Sequence, residues 1–360
     1  MRPTESLYFS TSNPPALATL NEEDTLKYLA RLNLPLTLIE EPPSLDLLAA
    51  LLFAHHTNVP FGTTPIHVPR ADWTADDKPI ELGAGVAGGV GGMDLGAGNF
   101  KRVVEQWGTG FCFSLNSLFA SLLRGFGFRT SEVGTRVYLH RGKDPAEAGY
   151  LWSPITHELL IVDWPESEGE RWMVDVGFGG GGSPRPIALR DGATSASISP
   201  SESFLLRAEN LPIGDIPTIY DPAPGYTLYR RVCSVDDFVL AEDLNLEEGQ
   251  YWTPCVHFTL QTLLPEDVTI LNYYNESFPK APFVNFFVVS LLLATGARRT
   301  LSYAPPPAGT KSEELYEASQ KAKLYTKEGI KGEEQDISFV PFTTSAIRRV
   351  LENEFGFRFE

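Results

Sequence analysis

"ITHELLIVDWPESEGERWMVDVGFGGGG", Ile155 to Gly182, decides the middle of the chain. Two alternating apolar runs, "THELLIVD" and "RWMVDVGF", flank the turn-rich "WPESEGE", which is the pattern of a β-hairpin. Antiparallel pairing about the turn at Trp164 to Glu170 sets His157 opposite, or nearly opposite, Asp175, within side-chain reach on neighbouring strands. Asp163 and Asp175 cannot face each other in this register, so only Asp175 is placed beside a histidine. Asp175 lies between Val174 and Val176, an awkward place for a carboxylate that lacks a partner. The four glycines that follow Phe178 let the backbone approach a ligand closely and offer N–H groups to a phosphate or an oxyanion. The same run also suits a plain flexible turn.

Upstream stands "GTGFCFSLNSLFASLLRGFGF", Gly108 to Phe128. Leu115, Leu118, Phe119, Leu122 and Leu123 fall at helical spacing, and Gly125 or Gly127 supplies the stop. Cys112 therefore sits at or just before a helix N-terminus, where free N–H groups and the helix dipole favour a thiolate. A lone cysteine is also among the residues most often buried as core. A thiol nucleophile needs a base, and the base needs an orienting group. Of His55, His56, His67, His140, His157 and His257, the hairpin selects His157. From the residues alone, Cys112, His157 and Asp175 read either as a catalytic triad or as a core thiol with strand-end polar groups.

The chain has 360 residues, 42% hydrophobic and 21% charged, enough for two or three domains. A net charge of -17 excludes the basic surface that nucleic acid requires. Cys112, Cys233 and Cys255 show no metal-ligand spacing, so no metal is expected. "MRPTESLYFSTSNPP" lacks the apolar core of a secretory signal, and no stretch reaches ~18 uninterrupted apolar residues. A cytoplasmic protein with no membrane partner is the expectation; the oligomeric state is left open. Two helices open the fold, one capped by Asn21 and carrying Leu26, Leu29 and Leu32, the other capped by Ser44 and stopped before Pro60. The run "GAGVAGGVGGMDLGAG", within 83–98, lacks the strand and helix of a dinucleotide fingerprint and reads as a mobile surface loop. Short strands follow Cys112's helix: "SEVGTRVYLH", the hairpin, "SFLLRAE", "YTLYRRV", "VHFTLQTL", "PFVNFFVVSLLL" and "RRTLSY". Helical spacing returns in "KSEELYEASQKAK" and "AIRRVLENEFG". Arg298 and Arg299 read as a solvated strand end or as phosphate partners.

The set "GFCFSLNSLF", "ITHELLIV" and "MVDVGFGG", in this order, resembles the arylamine N-acetyltransferase family. "AHHTNVPFGTTPI" resembles the family's helix-end motif. The block from Leu264 to Ser302 resembles the strand-and-loop segment that follows the family's barrel. The resemblance spans roughly Asp46 to Ser302, with a weaker match at the C-terminal end. It departs from the pattern at Gly108-Thr109-Gly110-Phe111-Cys112, where the family has Arg-Gly-Gly-x-Cys, and at Ser114, Gly62 and Thr63. It implies an α+β fold: a helical bundle over 1–128 with the Gly-rich insertion at 83–98, a β-barrel over 129–265 and an α/β lid over 266–360. This is the Cys-His-Asp arrangement also seen in cysteine proteases.

The resemblance implies that Cys112, His157 and Asp175 are the catalytic triad, that acetyl-CoA or another short acyl-CoA is the donor, and that arylamines, arylhydrazines and N-hydroxyarylamines accept the acyl group. It places Thr156, Gly179, Gly180, Tyr274 and Ser277 at the CoA, and Phe61, Val137 and Phe178 at the amine; Phe113 joins these by adjacency to Cys112. The implied route is ping-pong through an acyl-cysteine. Two rivals stand beside it. A CoA-independent cysteine hydrolase or transglutaminase-like enzyme would use the same three residues, and a non-catalytic binding protein could share the fold.

Overall fold

The computed structural model describes residues 18–74, 76–87, 92–214, 224–305 and 320–359. Helix α1 (Glu22–Arg31) begins where the Asn21 side chain accepts the Asp24 N–H at 2.9 Å. Helix α2 (Leu45–Asn58) begins where Ser44 accepts the Leu47 N–H at 3.2 Å. Strand β1 (Phe61–Gly62) and three short helices, α3 (Thr64–His67), α4 (Ala84–Ala87) and α5 (Ala97–Phe100), lead to α6 (Cys112–Gly125). The apolar residues of α6 named from the sequence are all buried, against Tyr28 and Leu29 of α1 and Leu48, Leu51 and Leu52 of α2. The chain leaves α6 through Gly127, whose φ of 91° suits glycine.

The middle of the chain forms one antiparallel sheet of eight strands: β2 (Arg129–Tyr138), β3 (Trp152–Asp163), β4 (Trp172–Val174), β5 (Ile187–Ala188), β6 (Ala193–Ala196), β7 (Ser203–Asn210), β8 (Pro224–Val232) and β9 (Tyr251–Thr262). Their order is β5-β4-β3-β2-β9-β8-β7-β6, and the edge strands β5 and β6 meet, so the sheet curls into a barrel. A short helix, α7 (Pro145–Ala148), interrupts the path from β2 to β3. In the central hairpin Leu160 pairs with Val174, Ile161 with Met173 and Val162 with Trp172, the register expected from the turn. The alternation of β3 serves two cores at once. Leu160 and Val162 pack on the helices, whereas Leu159 and Ile161 point into the barrel.

Past the barrel, helix α8 (Pro265–Ser277) precedes a five-stranded antiparallel sheet in the order β1-β10-β11-β12-β13. Its strands are β10 (Phe287–Leu292), β11 (Arg298–Tyr303), β12 (Lys321–Lys327) and β13 (Glu334–Pro341). The final helix, Thr344–Phe355, buries Ile347, Leu351 and Phe355 against Phe287, Val289 and Leu301. Among the described residues no helix is long and apolar enough to cross a membrane.

Three expectations are corrected. Residues 265–277 are a helix where a strand-and-loop segment was expected; Pro265 opens it and the Asp267 carboxylate accepts the Leu264 N–H at 2.9 Å. The helix read across "KSEELYEASQKAK" lies outside the described residues over 311–319, and its end belongs to β12, which buries Ala322 between β11 and β13. The Gly-rich insertion is only in part a surface loop where it is described: Ala84–Ala87 is helix, and Asp94, Gly96 and Ala97 are exposed. Met93 is buried, and Gly85 sits so close to the Pro65 and Ile66 carbonyls that a Cβ would come within 2.8 and 2.9 Å of them. Glycine here permits close packing of backbone on backbone.

Candidate active site

Cys112 is the first residue of α6 and is 2% exposed. Its thiol donates to the Thr156 carbonyl at 3.9 Å, which sets the sulfur beside the backbone that carries His157. The His157 ring meets Asp175 through Nε2 and Oδ2 at 2.6 Å, and both residues are buried. With Nε2 engaged by the carboxylate, Nδ1 is the ring nitrogen left to exchange a proton with a thiol. The other Asp175 oxygen, Oδ1, accepts from Asn116 Nδ2 at 3.0 Å and from the Gly177 N–H at 2.8 Å. Asn116 also donates to the Glu158 carbonyl at 2.6 Å and accepts the Val176 N–H at 3.0 Å. One amide on α6, a single turn beyond Cys112, therefore fixes both strands of the hairpin. Gly177 packs so tightly on the helix start that a Cβ would fall 2.4 Å from the Cys112 Cα.

The electrostatics separate the three groups. Burial would raise the Asp175 carboxyl, but the charge and hydrogen bond of His157, with the bonds from Asn116 and Gly177, hold it below the usual range. Burial pushes the Cys112 thiol well above its ordinary value; nearby Glu158 and Asp175 add to this, and N–H bonds from Phe113 and Glu158 oppose it. The helix terminus acts in the expected direction, but burial outweighs it. Burial thus works against the thiolate that a helix start would otherwise favour. Glu158 is itself pushed well up by burial and by Glu132, which favours its neutral form.

The loop before Cys112 has no arginine of its own, and Arg102 braces it from below. Its guanidinium donates to the Thr109 carbonyl at 3.0 Å and to Asn99 at 2.7 Å, and Asn99 in turn donates to the Ser114 carbonyl at 2.7 Å.

The remaining residues singled out from the sequence divide between the cysteine, the glycine run, the barrel core and α8. Around the cysteine and the ring, Phe113 is fully buried in one apolar cluster with Cys112, Phe61 packs on that cluster's edge, and Phe178 stands edge-on to His157 at 5.1 Å. Val137 lies in the barrel core. Around the glycine run, Gly179 has φ 66° and sits against the Phe61 ring, while Gly180 sits against the Arg298 side chain. Thr156 is half-buried, its carbonyl shared between Cys112 and Asn275. Tyr274 stacks on Phe278 at 4.9 Å, and the Ser277 hydroxyl is buried without a partner. Arg298 is neither solvated nor free for phosphate. It is buried and grips both oxygens of Glu202 at 3.1 Å, beside Arg230 on the same carboxylate. Arg299 pairs with Glu354 at 2.9 Å.

Sequence reasoning missed Asn116, Glu158, Asn275 and the Arg102–Asn99 brace. Asn116 carried a signal: it stands at i+4 from Cys112 in a helix otherwise apolar on that side. Glu158 and Asn275 carried none, because their partners are far away in sequence, and the Arg102–Asn99 brace lies on a stretch with no clear periodicity.

A buried thiol at a helix start, set beside a histidine held by a buried carboxylate, marks the class of enzymes that pass acyl groups through a cysteine. The N-acetyltransferase family profile matches residues 93–305, more than half of the chain. The chain is 26% identical over 259 residues to an arylamine N-acetyltransferase of Escherichia coli, across 72% of this chain and 70% of that protein. It is 25% identical over 253 residues to the N-malonyltransferase FDB2 of Fusarium pseudograminearum, across 69% and 64% of the two chains. In fold it is similar to the arylamine N-acetyltransferase of Salmonella typhimurium, with a TM-score of 0.61 and 20% identity over 94% and 92% of the chains. The chain belongs to the arylamine N-acetyltransferase family.

Proposed function

We propose that this enzyme moves an acetyl or another short acyl group from CoA to the nitrogen of an arylamine or arylhydrazine, with Cys112 as nucleophile, His157 as acid and base, and Asp175 as orienting group. The observation that carries the reading is the 2.6 Å His157–Asp175 pair, fixed by Asn116 to the same helix that opens with Cys112. The Cys112 proton passes to His157, and the sulfur attacks the thioester carbonyl carbon. The carbon–sulfur bond to CoA breaks, and the CoA thiolate leaves with the proton from His157. A neutral aromatic amine then attacks the acyl-cysteine, its proton moves to His157, and Cys112 departs as the thiol. Depressed Asp175 stays charged through this cycle and stabilises the imidazolium.

CoA binding to so acidic a chain rests on backbone donors. The N–H groups of Gly179 and Gly180, with Thr156, Tyr274 and Ser277, are proposed to hold it, and Phe61, Phe113, Val137 and Phe178 to line the amine side. Malonyl, the group named for one relative, falls within the same donor class. All three cysteines are free, which suits a reducing compartment such as the cytoplasm. The test is steady-state kinetics with acetyl-CoA and an arylamine. Parallel double-reciprocal lines, lost activity in folded Cys112→Ala and no turnover of amides without acyl-CoA are expected. Intersecting lines, or activity retained in Cys112→Ala, would overturn the assignment.

A further inference from the structure

The cluster that holds Cys112 draws on a segment no catalytic role has used. Ile66, Met93, Phe111, Cys112, Phe113 and Val268 are buried together, and Leu95 and Val86 pack at the edge. Met93, Leu95 and Val86 all come from the glycine-rich insertion. Met93 is 2% exposed although it follows a run of glycines, so something holds it in place. That something is one face of α8. Asn272 donates to the Met93 carbonyl at 2.9 Å, and the Glu276 carboxylate accepts the Met93 N–H at 2.5 Å. Gly92, at φ 107°, lies so close to Glu276 that a Cβ would stand 3.1 Å from its oxygen. Asn275, on the same face at i+3 from Asn272, donates at 3.1 Å to the Thr156 carbonyl that also faces the Cys112 thiol. The face of α8 that seats Met93 is therefore the face that touches the backbone of the reacting pair.

We infer that Met93 is a specificity-determining residue: its side chain packs in the buried apolar cluster that holds Cys112 and limits the length of the acyl chain that the cysteine can carry. This rests on the acyl-cysteine reading above. A thioether is flexible and fills irregular gaps, which suits a wall that must close on a short acyl group. In a hydrophobic pocket one methylene is worth about tenfold or more in discrimination. Asn272 and Glu276 act through Met93, as positioning residues.

The experiment is single-turnover acylation without amine, followed by intact mass, with acetyl-CoA and butyryl-CoA on the full chain. Wild type, Met93→Val, Met93→Ala and, with the Met93 side chain intact, Asn272→Ala are compared. The butyryl-to-acetyl rate ratio is expected to rise from wild type through Met93→Val to Met93→Ala, by about tenfold or more at the end. Asn272→Ala is expected to move it the same way, and this arm decides if Met93→Ala does not fold. A butyryl-to-acetyl ratio unchanged in every folded variant would overturn the inference while leaving the acyl-cysteine intact. A wild type that takes no acyl group from either thioester would overturn the proposed function and this inference with it.

Discussion

Asp175 and Asp163 flank the same hairpin, yet only one is built into the site. Asp175 is buried and bonded to His157, Asn116 and Gly177, whereas Asp163 ends its strand in a 2.6 Å ion pair with exposed Arg129. Asp175→Asn is expected to cut turnover on the order of 10³–10⁴-fold, because the ring loses its orientation and the imidazolium its counter-charge. Asp163→Asn is expected to change turnover little; steady-state rates of the two variants check this. Glu158 gives a second residue-scale test. Its carboxyl is raised in the fold, so the protonated form is favoured there. Folding then carries no ionisation penalty below the ordinary Glu range, and a growing one as pH rises from that range through the raised value. Glu158→Gln keeps the contact with Ser117 and removes the penalty, so it should raise Tm more at pH 8 than at pH 5, measured by thermal unfolding. At this scale the sequence singled out Cys112, His157 and Asp175, because a hairpin register and a helix start are local features, and the fold sets the Cys112 thiol beside Thr156 and the His157 ring on Asp175. It did not reveal Glu158, whose burial arises from Glu132 and α6 closing over it.

Two elements place the chemistry: the start of α6 and the end of β4, pressed together at Gly177. The alternation of β3 and the spacing of α6 were legible, since each carries its period over many residues. The contact between them was not, because a glycine in "DVGFGG" signals freedom and not the neighbour that demands it. Gly177→Ala would drive a Cβ to 2.4 Å from the Cys112 Cα and 2.7 Å from Asn116 Nδ2. Backbone on one side and the Asp175 anchor on the other leave little room to yield. The variant is expected to lose about 1–3 kcal/mol of stability by overpacking, read by chemical denaturation, and to label more slowly at Cys112 with an alkylating agent. The same difficulty hid helix α8: its apolar Val268 and Leu271 are few, and its polar face is spent on partners in the insertion and at Thr156.

On the scale of the molecule, the hairpin is the shared wall between helices and barrel, and α8 packs on β3 and on the start of α6. Apolar periodicity predicted α1, α2, α6 and most of the barrel strands, whereas α8, β12 and the cluster joining Met93, Cys112 and Val268 needed the assembled chain. This layout leaves one sulfur, Cys112, beside a histidine held by a carboxylate. Cys233 bonds the Ser201 carbonyl at 2.7 Å, and Cys255, pushed up to about 11 by burial, lies inside the barrel. In the proposed route Cys112 carries the acyl group before any amine reacts. The direct measurement is intact and peptide mass spectrometry of the wild-type chain after exposure to acetyl-CoA with no amine present. A single acetyl group on Cys112, discharged when an arylamine is added, is the expected result. Turnover of acetyl-CoA and arylamine with Cys112 unmodified at every time point would contradict it.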